Sequence, residues 1–250
     1  MKSNFWIAVA MIIGTVVGAG VLSIPKSFAV SGFFPGMLVL VILAMATTLM
    51  ALYTGEIVMR TKETKQFTGL AEKYLGKKGR FLMFVGIFIE MNGALIAYLI
   101  GIGHIVTTLL GGNLIVNTIA FFVFGSLLIY FGVKSVGHME LILSFLLLAL
   151  ILFISVSIFP EVEYSNFAYQ NYKSMFVPYG VLLFAFLGYT ILPEIEIVLK
   201  KEKKKIFWAI LVAMGLSAFI YAIFSYAMIG AYGTEVAQIA TESLPSGLQV

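Results

Sequence analysis

Long apolar stretches dominate this chain and leave few folds open to it. Lipid offers no hydrogen-bond partner to a backbone N–H or C=O, so a spanning segment is a helix or part of a closed barrel. No stretch alternates as a barrel strand does. The chain, with a mean hydropathy of +1.04, is therefore predicted to be an all-α polytopic transmembrane bundle. Seven stretches have the roughly 20 residues that a spanning helix needs: Asn4–Val30, Phe33–Val58, Phe81–Leu110, Ile115–Val133, Leu141–Phe159, Met175–Leu199 and Ile206–Tyr232.

The basic residues predict how this bundle is oriented. If the N-terminus lies in the cytoplasm, only Lys26 and Lys173 fall on the outer side. The positive-inside rule therefore predicts an inner N-terminus and, after seven crossings, an outer C-terminus. We expect a multi-pass protein of the cytoplasmic membrane with lipid as a partner; nucleic acid is not needed to explain the formal net charge of +4. The inner side receives Lys2, Arg60, Lys62, Lys65, Lys73, Lys77, Lys78, Arg80, Lys134, Lys200, Lys201, Lys203, Lys204 and Lys205.

One inner loop carries a helical pattern of its own. The sequence TGLAEKYLG, residues 68–76, alternates apolar and charged residues at helical spacing. Such a segment is typical of a short amphipathic helix on the membrane surface.

Several chemistries are excluded by the residues that the chain lacks. There is no cysteine, so disulfides and thiolate metal sites are impossible. No histidine spacing suggests a metal site, and no nucleophile with a base and no phosphate-binding loop supports catalysis. We therefore expect neither an enzyme nor a cofactor; a coupled proton or sodium ion is the only non-protein group that we anticipate.

Two of the seven segments contain helix-breaking residues near their centres. The first carries GTVVGAGVLSIP (residues 14–25) and the sixth carries FLGYTILPEIE (residues 186–196). Gly18 lies about 21 Å along a helix from Asn4, and Gly188 about 18 Å from Phe176. Helices one and six are therefore predicted to break near the bilayer midplane. Interrupted segments at corresponding places in two halves are typical of transporters with inverted repeats.

A break at this depth is suited to a zwitterion. Amides at the start of the outer half-helix attract an anion, and carbonyls on the other side attract a cation. Glycine lets a ligand approach the backbone and would supply conformations closed to other residues. The alternative is close helix packing, which glycines four residues apart also favour. We predict that the carboxylate binds the amides of Gly18, Ala19 and Gly20, and that the ammonium binds carbonyls near Thr15, Val16 and Leu187.

Three stretches resemble the amino acid/auxin permease family of the amino acid, polyamine and organocation superfamily. GTVVGAGVLSIPKSF resembles the first helix of that family, GALIAYLIGIG the third and FAFLGYTILPEIEIV the sixth. The resemblance covers essentially the whole chain and implies a leucine-transporter-like fold and amino-acid transport. That fold has ten helices in two inverted sets of five. Residues 1–159 would then form the first repeat and residues 160–250 the start of the second, so the chain is expected to be part of a protein of roughly 400 residues.

Aromatic side chains near the breaks are candidates for a substrate pocket. Phe184 and Tyr189 flank the second break, next to Gly188. The resemblance implies that Tyr98 on the third segment donates its hydroxyl to a substrate carboxylate. Ordinary packing is the alternative for all three, since most aromatics in membrane helices pack.

Glu90, Glu56 and Glu194 are candidates for coupling or gating, and Glu196 is a fourth carboxylate beside Glu194. Glu90 lies about 15 Å into the third segment, where a charge is costly unless it is protonated, paired or facing water. A proton-coupling role and a hydrogen-bonded packing role are both open for it. Glu56 and Glu194, with Glu196 beside it, are predicted to pair with cations in an inner gate.

Two functions follow from these features. The first is a secondary active transporter of amino acids, a symporter driven by protons or sodium. The second is a permease-like receptor subunit, such as a germinant sensor, that binds an amino acid without moving it. The amino acid and the oligomeric state are not fixed by the sequence.

Overall fold

The computed structural model describes residues 4–61, 66–130, 136–199, 202, 204–237 and 239–243. Within them the chain is helical, with short 3-10 turns between the longer elements. The α-helices of this part are α1 Asn4–Val16, α2 Ile24–Ser31, α3 Phe33–Arg60, α4 Phe67–Leu110, α5 Leu114–Tyr130, α6 Val136–Ser157, α7 Val177–Ala185, α8 Leu192–Val198 and α9 Lys205–Tyr232.

These helices fall on the seven predicted segments and confirm a polytopic helical membrane bundle. Among the described residues, four helical runs are long and apolar enough to cross a membrane, and a fifth span results if the pair α1 and α2, bent by 50°, counts as one. Segments four and five contain shorter apolar helical stretches. These are Leu114–Leu127 within α5 and Phe145–Glu161, which covers the end of α6 and the 3-10 turn after it. The inner position of the N-terminus stays a prediction.

The chain divides into two compact units. One comprises residues 1–64 and 140–249, and the other residues 65–139. This division follows packing. The two predicted repeats, residues 1–159 and 160–250, are defined by internal symmetry and stay a prediction.

Helix α9 is central to the first unit. It packs against α1, α2 and α3, and α7 packs against α2 and α3. Small residues on α9 permit this close packing, because Ala209, Ala213 and Ser217 are completely buried. Gly55 on α3 likewise leaves room for Ile210, whose Cδ1 would lie 2.9 Å from a Cβ at that glycine.

An irregular loop between α6 and α7 covers one end of the first unit. The N–H of Glu163 and the side-chain amide of Asn166 donate to the carbonyl of Gly230, at 2.9 and 2.7 Å. The N–H of Asn171 donates to the carbonyl of Ser31 at 2.9 Å. Gly32 has a φ of +88°, and a Cβ there would lie 2.6 Å from the carbonyl of Tyr169. Glycine is required at Gly32 because both the dihedral and the close loop exclude a side chain.

The second unit contains α4 and α5. Helical geometry in α4 is interrupted at Gly76, where φ is +71°. The predicted surface helix is thereby confirmed as a separate helical piece from Phe67 to this kink. The side-chain amide of Asn117 on α5 donates to the hydroxyl of Thr107 at 2.9 Å and to the carbonyl of Gly111 at 3.0 Å. These bonds hold α5 against the end of α4.

Candidate functional site

The first predicted break is present and is sharp. Helix α1 ends at Val16, and Gly18 is extended with φ −105° and ψ −164°. The N–H of Gly18 donates to the carbonyl of Val16 at 3.1 Å, so the i to i−4 pattern fails there. A 3-10 turn over Ala19–Ser23 follows before α2 begins at Ile24. The two half-helices expected within Asn4–Val30 are confirmed; the extended Gly18 and the 3-10 turn over Ala19–Ser23 lie between them.

The second break is also present and is more compact. Helix α7 ends at Ala185, and the N–H of Leu187 donates to the carbonyl of Phe184 at 3.1 Å. Gly188 has φ −145° and ψ 4°, and a 3-10 turn over Tyr189–Ile191 leads into α8. The helix thus ends three residues before Gly188, the residue at which the sequence predicts the break. In both breaks proline occupies the first turn of the helix that follows, where its missing N–H costs nothing.

The two breaks are in direct contact. A Cβ at Gly188 would overlap Cγ2 of Val16 and would lie 3.3 Å from the Cα of Val16. A Cβ at Gly20 would lie 3.3 Å from Cδ1 of Phe184. Both Gly18 and Gly188 have negative φ, so the expected need for conformations closed to other residues is wrong at these positions. Gly188 is required because the backbones approach too closely for a side chain.

A residue that the sequence did not single out joins the two breaks. The hydroxyl of Tyr221 on α9 lies 2.9 Å from the carbonyl oxygen of Val16 and 2.8 Å from that of Ala185. These carbonyls belong to the last residues of α1 and α7. The signal in the sequence was a polar stripe on an apolar helix: Ser217, Tyr221 and Ser225 are four residues apart, share one face and are completely buried.

Four of the other predicted substrate residues lie at or beside the two breaks, whereas Tyr98 lies on α4 in the second unit. Thr15 donates its hydroxyl to the carbonyl of Met11 at 2.9 Å, within its own helix. Leu187 and Phe184 are half-buried beside the second break. Tyr189 lines a cavity of about 10 Å³ together with Gly188, a volume that suits about one water molecule. This cavity is too small for an amino acid.

The predicted coupling residues lie in different environments. Glu56 is paired with Arg60 one turn along α3, at 2.6 Å, and both side chains are well exposed. Glu194 is exposed in the first turn of α8, whereas Glu196 is largely buried. Glu90 is half-buried and Tyr98 is exposed on α4, in the second unit. The roles given to these residues stay predictions.

Proteins of similar sequence are known among permeases and amino acid transporters. Residues 1–245 match the tryptophan/tyrosine permease family. The chain is 26% identical over 216 residues to tyrosine-specific transport system 1 of Haemophilus influenzae, with 84% of this chain and 54% of that protein covered. It is 24% identical over 227 residues to glutamine transporter 2 of Aliivibrio fischeri, with 87% and 58% covered. It is 25% identical over 252 residues to amino acid transporter AVT3A of Arabidopsis thaliana, with 93% and 59% covered.

The chain therefore spans somewhat more than half the length of these relatives. These relatives and the matching family are transporters and permeases, not enzymes, in agreement with the expectation from the sequence. The resemblance of three helices to amino acid permeases is confirmed over nearly the whole chain. With two broken helices whose breaks touch and a match that extends from residue 1 to residue 245, the chain belongs to the tryptophan/tyrosine permease family.

Proposed function

We propose that this chain belongs to a secondary active transporter that moves amino acids across the cytoplasmic membrane. The observation that carries the proposal is the contact between two helix breaks, Val16 against Gly188, in an otherwise apolar bundle. Interrupted helices expose backbone groups to a ligand where a continuous helix hides them. The printed names of the relatives, which refer to tyrosine, glutamine and amino acids, support this substrate class.

The substrate is bound between the breaks as a zwitterion. Its carboxylate binds the amides at Gly18, Ala19 and Gly20, where the outer half of the first segment begins. Its ammonium binds carbonyls at the ends of α1 and α7, where the helix dipoles place partial negative charge. No buried arginine or lysine is then needed, in keeping with the absence of basic residues from α1 and α7.

Transport requires the contact to open and close. Since the cavity beside Gly188 has room for about one water molecule, the two breaks are closed against each other in this conformation. Amino-acid binding separates the breaks, and access alternates between the two sides as one group of helices moves against the other. A proton or sodium ion drives the cycle; we assign the proton to Glu90, which is half-buried in a membrane segment.

Uptake into liposomes tests the function. The intact protein should accumulate labelled L-tyrosine, L-tryptophan or L-glutamine, saturably, when a proton or sodium gradient is applied. Gly18→Leu should abolish uptake. Binding of an amino acid without any accumulation under either gradient would favour the receptor function and contradict transport.

A further inference from the structure

Tyr221 places a single hydroxyl between two helix ends. Its side chain is completely buried, and its oxygen lies 2.9 Å from the carbonyl of Val16 and 2.8 Å from that of Ala185. These two residues end α1 and α7, so both carbonyls carry the partial negative charge of a helix C-terminus. A phenol has one proton, which the two carbonyls must share.

The same two carbonyls suit a cation better than they suit a phenol. An ammonium group has three donors and a full charge, whereas the hydroxyl offers one donor and no charge. Bonds from a charged donor are roughly twice as strong as bonds between neutral groups. A substrate ammonium that reaches this point therefore replaces the hydroxyl rather than adding to it.

Loss of the Tyr221 hydroxyl would be costly in this conformation. Both carbonyls are buried, and a buried carbonyl that loses a donor is not compensated by water. The carbonyl of Val16 would keep the N–H of Gly18, at 3.1 Å, whereas the carbonyl of Ala185 would lose the bond from the hydroxyl. Tyr221 thus stabilises the conformation whose cavity is too small for an amino acid.

We propose that Tyr221 is a positioning residue that occupies the ammonium subsite when no substrate is bound. This proposal rests on the proposed function, because it assumes that an amino acid binds between the breaks. The hydroxyl competes with the substrate ammonium for the carbonyls of Val16 and Ala185. Tyr221 thereby lowers the affinity for amino acids, stabilises the closed conformation and eases release of the bound amino acid.

Tyr221→Phe isolates the hydroxyl. The variant keeps the ring, which packs edge-to-face on Phe186 with centroids 5.1 Å apart. Ser225→Ala is the matched control, because Ser225 lies one turn along the same face, is equally buried, and its hydroxyl has no hydrogen-bond partner among the described residues. Both variants remove one buried hydroxyl from α9, but only one of those hydroxyls contacts the breaks.

The experiment measures amino-acid affinity and thermal stability of the intact protein in lipid nanodiscs. The probes are L-tyrosine, L-tryptophan and L-glutamine, each with its desamino analogue, which keeps the carboxylate and side chain but lacks the amino group. In Tyr221→Phe we expect a lower Tm without ligand and an amino-acid Kd that is about five- to tenfold lower, since one net hydrogen bond no longer opposes binding. Affinity for the desamino analogues should rise less than affinity for the amino acids, because the analogues gain only from easier opening of the breaks, and Ser225→Ala should bind as the wild type does.

A purely structural role predicts a different pattern, in which Tyr221→Phe loses stability and affinity together. That result, an unchanged Kd, or an equal gain for the desamino analogues would overturn the proposal. If the wild type binds and transports amino acids while Tyr221→Phe binds no more tightly, only this inference fails. If the wild type binds none of the probes, the proposed function fails and this inference with it.

A second measurement covers the case in which the phenylalanine variant does not fold. A fluorine atom next to the hydroxyl, introduced as fluorotyrosine at position 221, reports the hydrogen bonds of that hydroxyl through its NMR signal. The signal should move further when the transported amino acid is added than when its desamino analogue is added, since only the amino group competes for the two carbonyls. A signal that is unaffected by the amino acid would contradict the proposal.

Discussion

The two breaks resemble each other in sequence but not in surroundings. Gly18 and Gly20 in the first break are half-buried, whereas Gly188 in the second is buried. A Cβ at Gly20 would lie 3.3 Å from the edge of the Phe184 ring and 3.6 Å from the Cα of Ala185, but a Cβ at Gly188 would overlap Val16. The first break is therefore less tightly packed at its glycines, and the second uses its glycine to pack against the first. Glycine that precedes proline in a membrane helix has two different uses in one molecule.

The largest expected effect comes from a bulky side chain in the first break. Gly18→Leu should abolish amino-acid binding while the protein still inserts and folds, because the side chain blocks approach to the backbone amides. Binding to purified protein, measured by the rise in Tm with ligand, tests this. Wild-type affinity in that variant would remove the distinction between the two breaks.

A second variant tests whether coupling to an ion gradient depends on a residue outside both breaks. Glu90→Gln should remove accumulation driven by a proton gradient and leave equilibrium exchange largely intact, because glutamine cannot carry the coupled proton but is nearly isosteric. Exchange and gradient-driven uptake are compared in the same liposomes. Accumulation at the wild-type level would assign Glu90 to packing and leave the breaks as the only functional region.

A methyl group in the second break should act on stability. Gly188→Ala forces its Cβ into Val16, a β-branched residue whose backbone is also close, and overpacking of this kind typically costs about 1–3 kcal/mol. Thermal unfolding in detergent measures the loss. The double variant Gly188→Ala with Val16→Ala should recover part of it, since the pair is in contact; additive losses would show that the clash is not the cause.

The smallest effect is expected for the same methyl group in the first break. Gly20→Ala places its Cβ against the edge of the Phe184 ring, which can move by a few tenths of an ångström, so we expect less than about 1 kcal/mol of destabilisation. The unfolding temperatures of the two alanine variants are compared directly. A loss as large as that of Gly188→Ala would mean that both glycines are packing residues.

The positions of the breaks were predictable because they depend on local chemistry. Glycine followed by proline ends a helix within a few residues wherever it occurs, and both breaks formed where the sequence placed them, the second slightly earlier. The helical piece before Gly76 was predictable from a different local signal, the amphipathic pattern of residues 68–76. The role of Gly188 was not, because its requirement comes from Val16, more than 150 residues away in the chain.

Tyr221 shows most clearly what cannot be predicted from the sequence. It is one of 12 tyrosines, and nothing local distinguishes its hydroxyl from the others. The stripe with Ser217 and Ser225 indicates a polar face on α9, but it does not say which groups that face meets. Only the packing of α9 against α1 brings the hydroxyl to the carbonyls of Val16 and Ala185.

The sequence by itself determined the membrane bundle, the approximate positions of its helices and the two interruptions, because hydrophobic length and backbone geometry act within one segment at a time. The tertiary structure decided which backbone groups at the interruptions are shared, which glycine is needed for packing and which side chain lies between the helix ends. Those features depend on distances between segments that are far apart in the chain, and such distances are set only when all the helices pack together.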